Sequence, residues 1–122
     1  LFRDNVLFLN ESRPSFIDFY YACDEVLVLD ISIAINDWCI HDNGSINQNK
    51  LTKFIEGYES ERALSSKEKV YMPKALRWAA LRFLISRLEH VHSNPTAEIL
   101  AVKNPNQFKN ILIDRQVTEY KF

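Results

Sequence analysis

The stretch D-E-V-L-V-L-D-I-S-I-A-I-N-D-W-C-I-H, Asp24 to His41, decides the fold. Leu27, Leu29, Ile31, Ile33 and Ile35 alternate with Val28, Asp30, Ser32, Ala34 and Asn36, and β-branched residues abound. Period two with that composition describes a strand. The same residues also satisfy a helix, because Leu27, Ile31, Ala34, Ile35 and Trp38 fall on one face at helical spacing. The pattern alone leaves both open.

Upstream, N-V-L-F-L at 5–9 and S-F-I-D-F at 15–19 are short apolar runs separated by N-E-S-R-P. They predict an antiparallel hairpin over 5–19 with a four- or five-residue loop. With Leu9 opposite Pro14, Asn5 faces Asp18 at the open end, and a slip of one residue turns them to opposite faces.

Downstream the pattern is helical. After the turn D-N-G-S at 42–45, Leu51, Phe54, Ile55 and Tyr58 recur at helical spacing. Ser65 and Glu68 form a capping box for a short segment, and Pro73 fits the first turn of a longer helix. That helix, Pro73 to His90, is apolar around most of its girth, as a central buried element is, and Trp38 and Trp78 read as core aromatics. Ser93, Asn94 and Pro95 end it. Asn104 before Pro105 caps a last amphipathic piece bearing Phe108, Ile111 and Leu112, and the tail over 113–122 is polar and expected to fray.

The 122 residues suffice for one compact core. Fifteen basic against sixteen acidic residues give a net charge of −1, with no basic stripe for nucleic acid or an acidic membrane. The longest apolar run, Val26 to Ile35, is broken by Asp30 and too short to span a bilayer. Two cysteines, Cys23 and Cys39, with no C-x-x-C spacing argue against a zinc ribbon or disulfide scaffold and for two buried thiols in a reducing cytoplasm. Two glycines exclude a glycine-rich phosphate loop within these residues. His41, His90 and His92 lack metal-ligand spacing and an orienting partner.

Asp18, set between Ile17 and Phe19, is the residue whose chemistry needs explaining. A carboxylate at a strand end accepts hydrogen bonds from the next turn, or it binds a metal. Mg2+ takes hard oxygens, one or two carboxylates and substrate phosphates. An amide oxygen on Asn5 beside Asp18 would supply two such ligands.

L-F-R-D-N at 1–5 followed by I-D-F at 17–19 resembles the end of H-x-D-L-F-x-D-N and the second metal motif of kinase-like small-molecule phosphotransferases. With I-D-F-Y-Y-A-C-D, D-I-S-I-A-I-N-D-W-C, G-Y-E-S at 57–60 and A-L-R-F-L-I-S-R-L at 80–88, roughly residues 1–112 resemble the C-terminal part of the homoserine kinase family. The resemblance implies an α+β, mainly α-helical fold: a short β-hairpin followed by a helical bundle over 24–112, from the C-terminal part of a protein-kinase-like large lobe. It favours a helix for Asp24 to His41. It implies ATP and Mg2+ as cofactors and L-homoserine as the small-molecule substrate, in the cytoplasm. Asn5 and Asp18 match the metal ligands, Asp18 also touching the ATP phosphates, and Asp30 matches a helix carboxylate that supports the catalytic loop.

The general-base Asp of the family falls one residue before Leu1, and Asp4 stands four residues too late to replace it. A start without Met, lacking the H-x-D and the N-terminal lobe, leads to the expectation of a piece of a longer protein, inactive alone. For the homoserine carboxylate, Arg82 or Arg87 could act through a bidentate guanidinium, against structural pairing with Glu56, Glu59 or Glu61. Tyr20 and Tyr21 either line the pocket or pack. Two rivals stay open: the same fold with an aminoglycoside, choline or methylthio-sugar acceptor, and a non-catalytic helical interaction module that self-associates through exposed apolar surface.

Overall fold

The computed structural model describes residues 1–10, 13–20, 22–93 and 104–122. Glu11, Ser12, Tyr21, Asn94 and Pro95, to which the sequence gives roles above, lie outside the described residues. A 3-10 turn at Arg3–Asn5 leads into β1 (Val6–Asn10), which pairs antiparallel with β2 (Arg13–Phe16). Four helices follow: α1 (Leu27–Trp38), α2 (Gln48–Glu61), α3 (Ser66–His92) and α4 (Pro105–Val117). The architecture is α+β and mainly helical, a hairpin ahead of a bundle.

The deciding stretch is a helix. Its strand-like alternation arises because two of its polar residues are buried and satisfied. Ser32 Oγ donates to the Val28 carbonyl at 2.7 Å, and Asn36 Nδ2 donates to the Leu76 carbonyl at 2.8 Å. With these partners, polar side chains sit inside at small cost, so Val28, Ile31, Ala34 and Ile35 can be buried beside them.

The hairpin register differs from expectation by one residue. Val6 pairs with Phe16 and Phe8 with Pro14, which sets Asn5 opposite Ile17 rather than Asp18. The Ile17 amide accordingly donates to the Asn5 carbonyl at 3.0 Å. The cause is a bulge: between Phe8 and Asn10 the register shifts, and Asn10 pairs with Arg13. Leu9 is the extra residue, largely exposed, and the strands close nearer the turn than a four- or five-residue loop allows.

The Ser65–Glu68 capping box forms, but it opens the whole of α3 rather than a separate short segment. Pro73 is an interior residue of that helix. Its ring forfeits the bond to the Lys69 carbonyl and strains the turn, about 3 kcal/mol in an isolated helix. Burial of Met72, Ala75, Leu76, Ala79 and Ala80 against α1 and α4 opposes that cost. α3 is not buried around its girth: Trp78 is 56% exposed, as are Leu81, Ile85 and Leu88 in part, so Trp78 is not a core aromatic.

The expected frayed tail is ordered. α4 runs on to Val117, and Arg115 is 3% exposed. Arg115 Nε donates to Asn36 Oδ1 at 3.0 Å and Nη1 donates to the Gly44 carbonyl at 3.2 Å, while Asp114 pairs with the same Nη1. The Tyr120 hydroxyl donates to Asp114 at 2.6 Å, and the Arg115 guanidinium lies 5.3 Å from the Tyr120 ring centre. A guanidinium needs such a set of acceptors to be buried at all, and spacing gives no sign of it. Gly44, with φ +88°, allows the approach: a Cβ there would meet the Ile111 amide nitrogen at 2.9 Å. Cys39 is buried and Cys23 exposed, so only one of the two thiols is in the core. No helix among the described residues is long and apolar enough to cross a membrane.

Candidate functional site

The five residues ahead of β1 are held from several sides. Phe2 packs edge-on to Phe83 of α3, ring centres 4.7 Å apart, and also meets Phe108 of α4. Trp38 Nε1 donates to the Leu1 carbonyl at 3.1 Å. The strongest anchor is Asp37, buried near the end of α1. Its Oδ2 accepts the Arg3 amide at 2.7 Å and Arg3 Nε at 3.3 Å, and its Oδ1 accepts Arg3 Nη2 at 3.4 Å. A buried carboxylate gripping a backbone N–H fixes the path of the chain in a way a side-chain contact does not.

That path ends at Asn5. Its amide donates to the Phe2 carbonyl at 3.0 Å, closing the 3-10 turn, and its carbonyl accepts from Ile17. Asn5 is therefore pinned at the open end of the hairpin. Asp18 follows Ile17 just beyond the end of β2, exposed, with φ +62°. Among the described residues it is the one non-glycine in the left-handed region. The pleat stops there, so the strict alternation that would send Asp18 to the face opposite Asn5 no longer applies. Asp tolerates this conformation better than most residues, at a cost of order 1 kcal/mol. A turn closes directly afterwards, the Ala22 amide donating to the Phe19 carbonyl at 2.9 Å.

Among the described residues no three His, Cys, Asp or Glu side chains gather as a metal cluster. A carboxylate and an amide are oxygen donors of the type that Mg2+ takes alongside water and phosphate oxygens.

No protein-family model matches the chain. Individual relatives do. The chain is 42% identical over 113 residues to a protein named homoserine kinase from Neisseria meningitidis, spanning 93% of this chain and 37% of that one. It is 39% identical over 112 residues to the homoserine kinase of Methylobacillus flagellatus, spanning 92% of this chain and 35% of the relative. With that of Rhizobium etli it is 38% identical over 118 residues, 96% of this chain and 37% of the other. The chain is a relative of the homoserine kinases. It spans little more than a third of the length of these curated relatives.

The other residues singled out for homoserine-kinase chemistry are scattered. Arg87 is half-buried between α3 and α4, donating to Gln107 Oε1 at 2.8 Å and to the Asn104 carbonyl at 3.1 Å. Its guanidinium stacks 4.3 Å from the centre of the Phe108 ring. These partners replace the expected Glu56, Glu59 and Glu61; Glu59 instead pairs with Lys69 at 2.9 Å. Burial pushes the Arg87 pKa down, while the charges of Asp37 and Asp4 hold it up, so Arg87 lies within the electrostatic reach of the docked segment.

Arg82 is five residues away, about 140° around the helix. It turns outward to a groove shared with Trp78, Ile85 and Glu89, its guanidinium 5.4 Å from the Phe83 ring centre. The two arginines do not converge. Tyr20 is 91% exposed in the turn after Asp18.

Asp30 does meet the docked segment, its Oδ1 lying 2.8 Å from the Leu1 amino nitrogen, but its side chain is 75% exposed. Asp37 is the buried anchor, and sequence reasoning missed it. The available signal was spacing: Asp37 stands seven residues, two helical turns, after Asp30 and so shares its face.

Proposed function

We propose that the chain is the C-terminal part of the large lobe of an ATP-dependent homoserine kinase. The observation that carries this reading is identity of 38–42% over nearly the whole chain to proteins bearing that name. In this reading the 122 residues form one partial domain. Asn5 and Asp18 provide the oxygen ligands for Mg2+, and Asp18 faces the ATP phosphates. A bound Mg2+ would supply neutralisation of the charge that develops on the transferring phosphoryl group. The strained backbone at Asp18 and the hard-oxygen donor pair suit that ion.

The chain's own contribution is positioning. Asp37 sets the segment that carries Asn5, Phe2 wedges it against α3 and α4, and the hairpin bonds Asn5 to the strand leading to Asp18. In the full reaction the homoserine hydroxyl gives its proton to a carboxylate base, its oxygen bonds the γ-phosphorus, and the bond to the β-phosphate oxygen breaks to release ADP. The resemblance sets that base just ahead of Leu1, so these residues alone transfer no phosphate. Arg87, tied to α4, is structural here, and Tyr20 and Arg82 are the weaker candidates for the acceptor.

The test is a coupled ADP-release assay on the full-length gene product that contains these residues, with homoserine and, separately, choline, an aminoglycoside and a methylthio-sugar. Homoserine is the expected acceptor. Asp18→Asn is expected to reduce kcat by roughly 10²–10³-fold, the loss of several kcal/mol of charge stabilisation. Turnover preserved in Asp18→Asn, or phosphorylation of homoserine by the isolated 122 residues, would overturn the assignment.

A further inference from the structure

Phenylalanine rings from three parts of the chain meet where the segment ahead of β1 touches the bundle. Phe2 stands edge-on to Phe83 of α3 at 4.7 Å and to Phe108 of α4 at 6.3 Å. Phe83 and Phe108 are themselves 5.5 Å apart. Phe108 is 1% exposed, so its ring is an inner wall of the cluster. Rings packed edge to face constrain one another's orientation as well as their distance.

The Arg87 guanidinium lies 4.3 Å from the centre of the Phe108 ring. Its Nη1 donates to the Asn104 carbonyl and to Gln107 Oε1, at the cap and in the first turn of α4. One side chain of α3 therefore holds both the start of α4 and the ring that α4 offers to Phe2. A planar guanidinium stacks on an aromatic ring in a way that an ammonium does not. The charge of Arg87 also feels Asp37 and Asp4, the carboxylates of α1 and of the docked segment.

From Phe2 the path to Asn5 is a single hydrogen bond, the Asn5 amide donating to the Phe2 carbonyl at 3.0 Å. A shift of the Phe2 ring carries that carbonyl with it and opens the turn that presents Asn5. Asp37 holds the segment from α1, whereas Arg87 and Phe108 hold it from α3 and α4.

We infer that Arg87 and Phe108 are positioning residues for Asn5, so that the docking of α4 on α3 is coupled to divalent-cation binding at the mouth of the hairpin. This rests on the phosphotransfer reading, which supplies the cation. The coupling is reciprocal: the factor that a loosened seam removes from cation affinity is the factor by which the cation tightens the seam. Groups directly behind a metal ligand change affinity by roughly 10–100-fold. Arg87 acts through a ring and a backbone turn, which puts its effect at the lower end, about tenfold.

The experiment uses the full-length gene product, with Mn2+ as the probe in the presence of a non-hydrolysable ATP analogue. Electron paramagnetic resonance reads the free Mn2+. Arg87→Met keeps the apolar stem, removes the stack and should weaken Mn2+ binding about tenfold, as should Phe108→Leu. Arg87→Lys keeps the charge without the planar face and should not restore it. Ser65→Ala loosens α3 at its other end, about 30 Å away at 1.5 Å per residue, and should leave Mn2+ affinity unchanged. That control separates positioning from loss of stability. Hydrogen exchange gives the reciprocal readout: Mn2+ with the analogue should protect α4 amides in the wild type more than in Arg87→Met. Arg87 is half-buried, so its variants carry the test should Phe108→Leu not fold. Mn2+ affinity kept in Arg87→Met but lost in Asp18→Asn would overturn the inference and leave the phosphotransfer reading standing. Affinity indifferent to Asp18→Asn as well would overturn both. An equal loss in Ser65→Ala and Arg87→Met would overturn the positioning role.

Discussion

Replacing Asp37 with Ala tests how the segment ahead of β1 is held. Two interactions are lost. The first is the charge-assisted bond from the Arg3 amide at 2.7 Å, worth about 1.5–3 kcal/mol for a hydrogen bond to a charged group. The second is the pair with the Arg3 guanidinium at 3.3 Å; that side chain is 48% exposed, so screening reduces its share to roughly 0–1 kcal/mol. The expected total is about 1.5–4 kcal/mol, most of it from the backbone bond. Asp37→Asn keeps an acceptor oxygen but not the charge and should lose about half as much. Urea denaturation of the 122-residue chain measures this from the midpoint at constant slope. Hydrogen exchange adds a local readout: the Arg3 amide should lose protection in Asp37→Ala while amides in the middle of α3 shift only with global stability. A midpoint change under about 0.5 kcal/mol, the range of ordinary surface substitutions, together with an unchanged Arg3 amide, would refute the anchoring argument.

Ser65→Ala should destabilise α3 by about 1 kcal/mol, read from the urea midpoint, by removing the N-cap acceptor for the Glu68 amide. The Ser65 amide and hydroxyl, with Arg62, hold the Glu68 carboxyl at about 2 against its ordinary 4.5. A depressed carboxylate stabilises above its unfolded value and loses that contribution as pH falls from about 4.5 to about 2, so Glu68→Gln should flatten the stability profile in that window. Cys23 should react with a thiol reagent at pH 8 at the rate of a free thiol. Cys39, pushed up to about 11 by burial, should stay unmodified until denaturant is added; equal rates would contradict its placement. Gly44→Ala should cost upwards of about 1 kcal/mol on the thermal melt, because the backbone is left-handed there and the added methyl meets the α4 backbone.

Local rules made much of the fold legible. The capping box at Ser65, the Asn104 cap and the apolar spacing of α2 and α4 need only neighbours within a turn, and all are present. What failed depended on distant partners. Asn36 and Ser32 look like the solvent side of a strand until the Leu76 carbonyl and the neighbouring turn are supplied. The resemblance carried that segment correctly where periodicity did not. Arg115 looks like a tail residue because its acceptors lie 71 and 79 positions earlier. The one-residue register error came from a bulge at Leu9, which no alternation pattern announces. At the candidate site, Asn5 and Asp18 were singled out by the hairpin spacing and by motif resemblance. Asp37 was hidden by its neighbour on the same face, because two carboxylates one heptad apart look alike until burial separates them.

The Arg115 cluster has a consequence for the timing of folding. Asn36 belongs to the first helix of the bundle, yet its carbonyl oxygen receives its guanidinium partner only from position 115. On a ribosome adding about 5–20 residues per second, α1 is complete several seconds before that partner exists. Through that interval the nascent bundle holds an unmatched amide at its centre, a point of entry for water or for a chaperone. Full consolidation waits for the last helix to arrive and shut the seam.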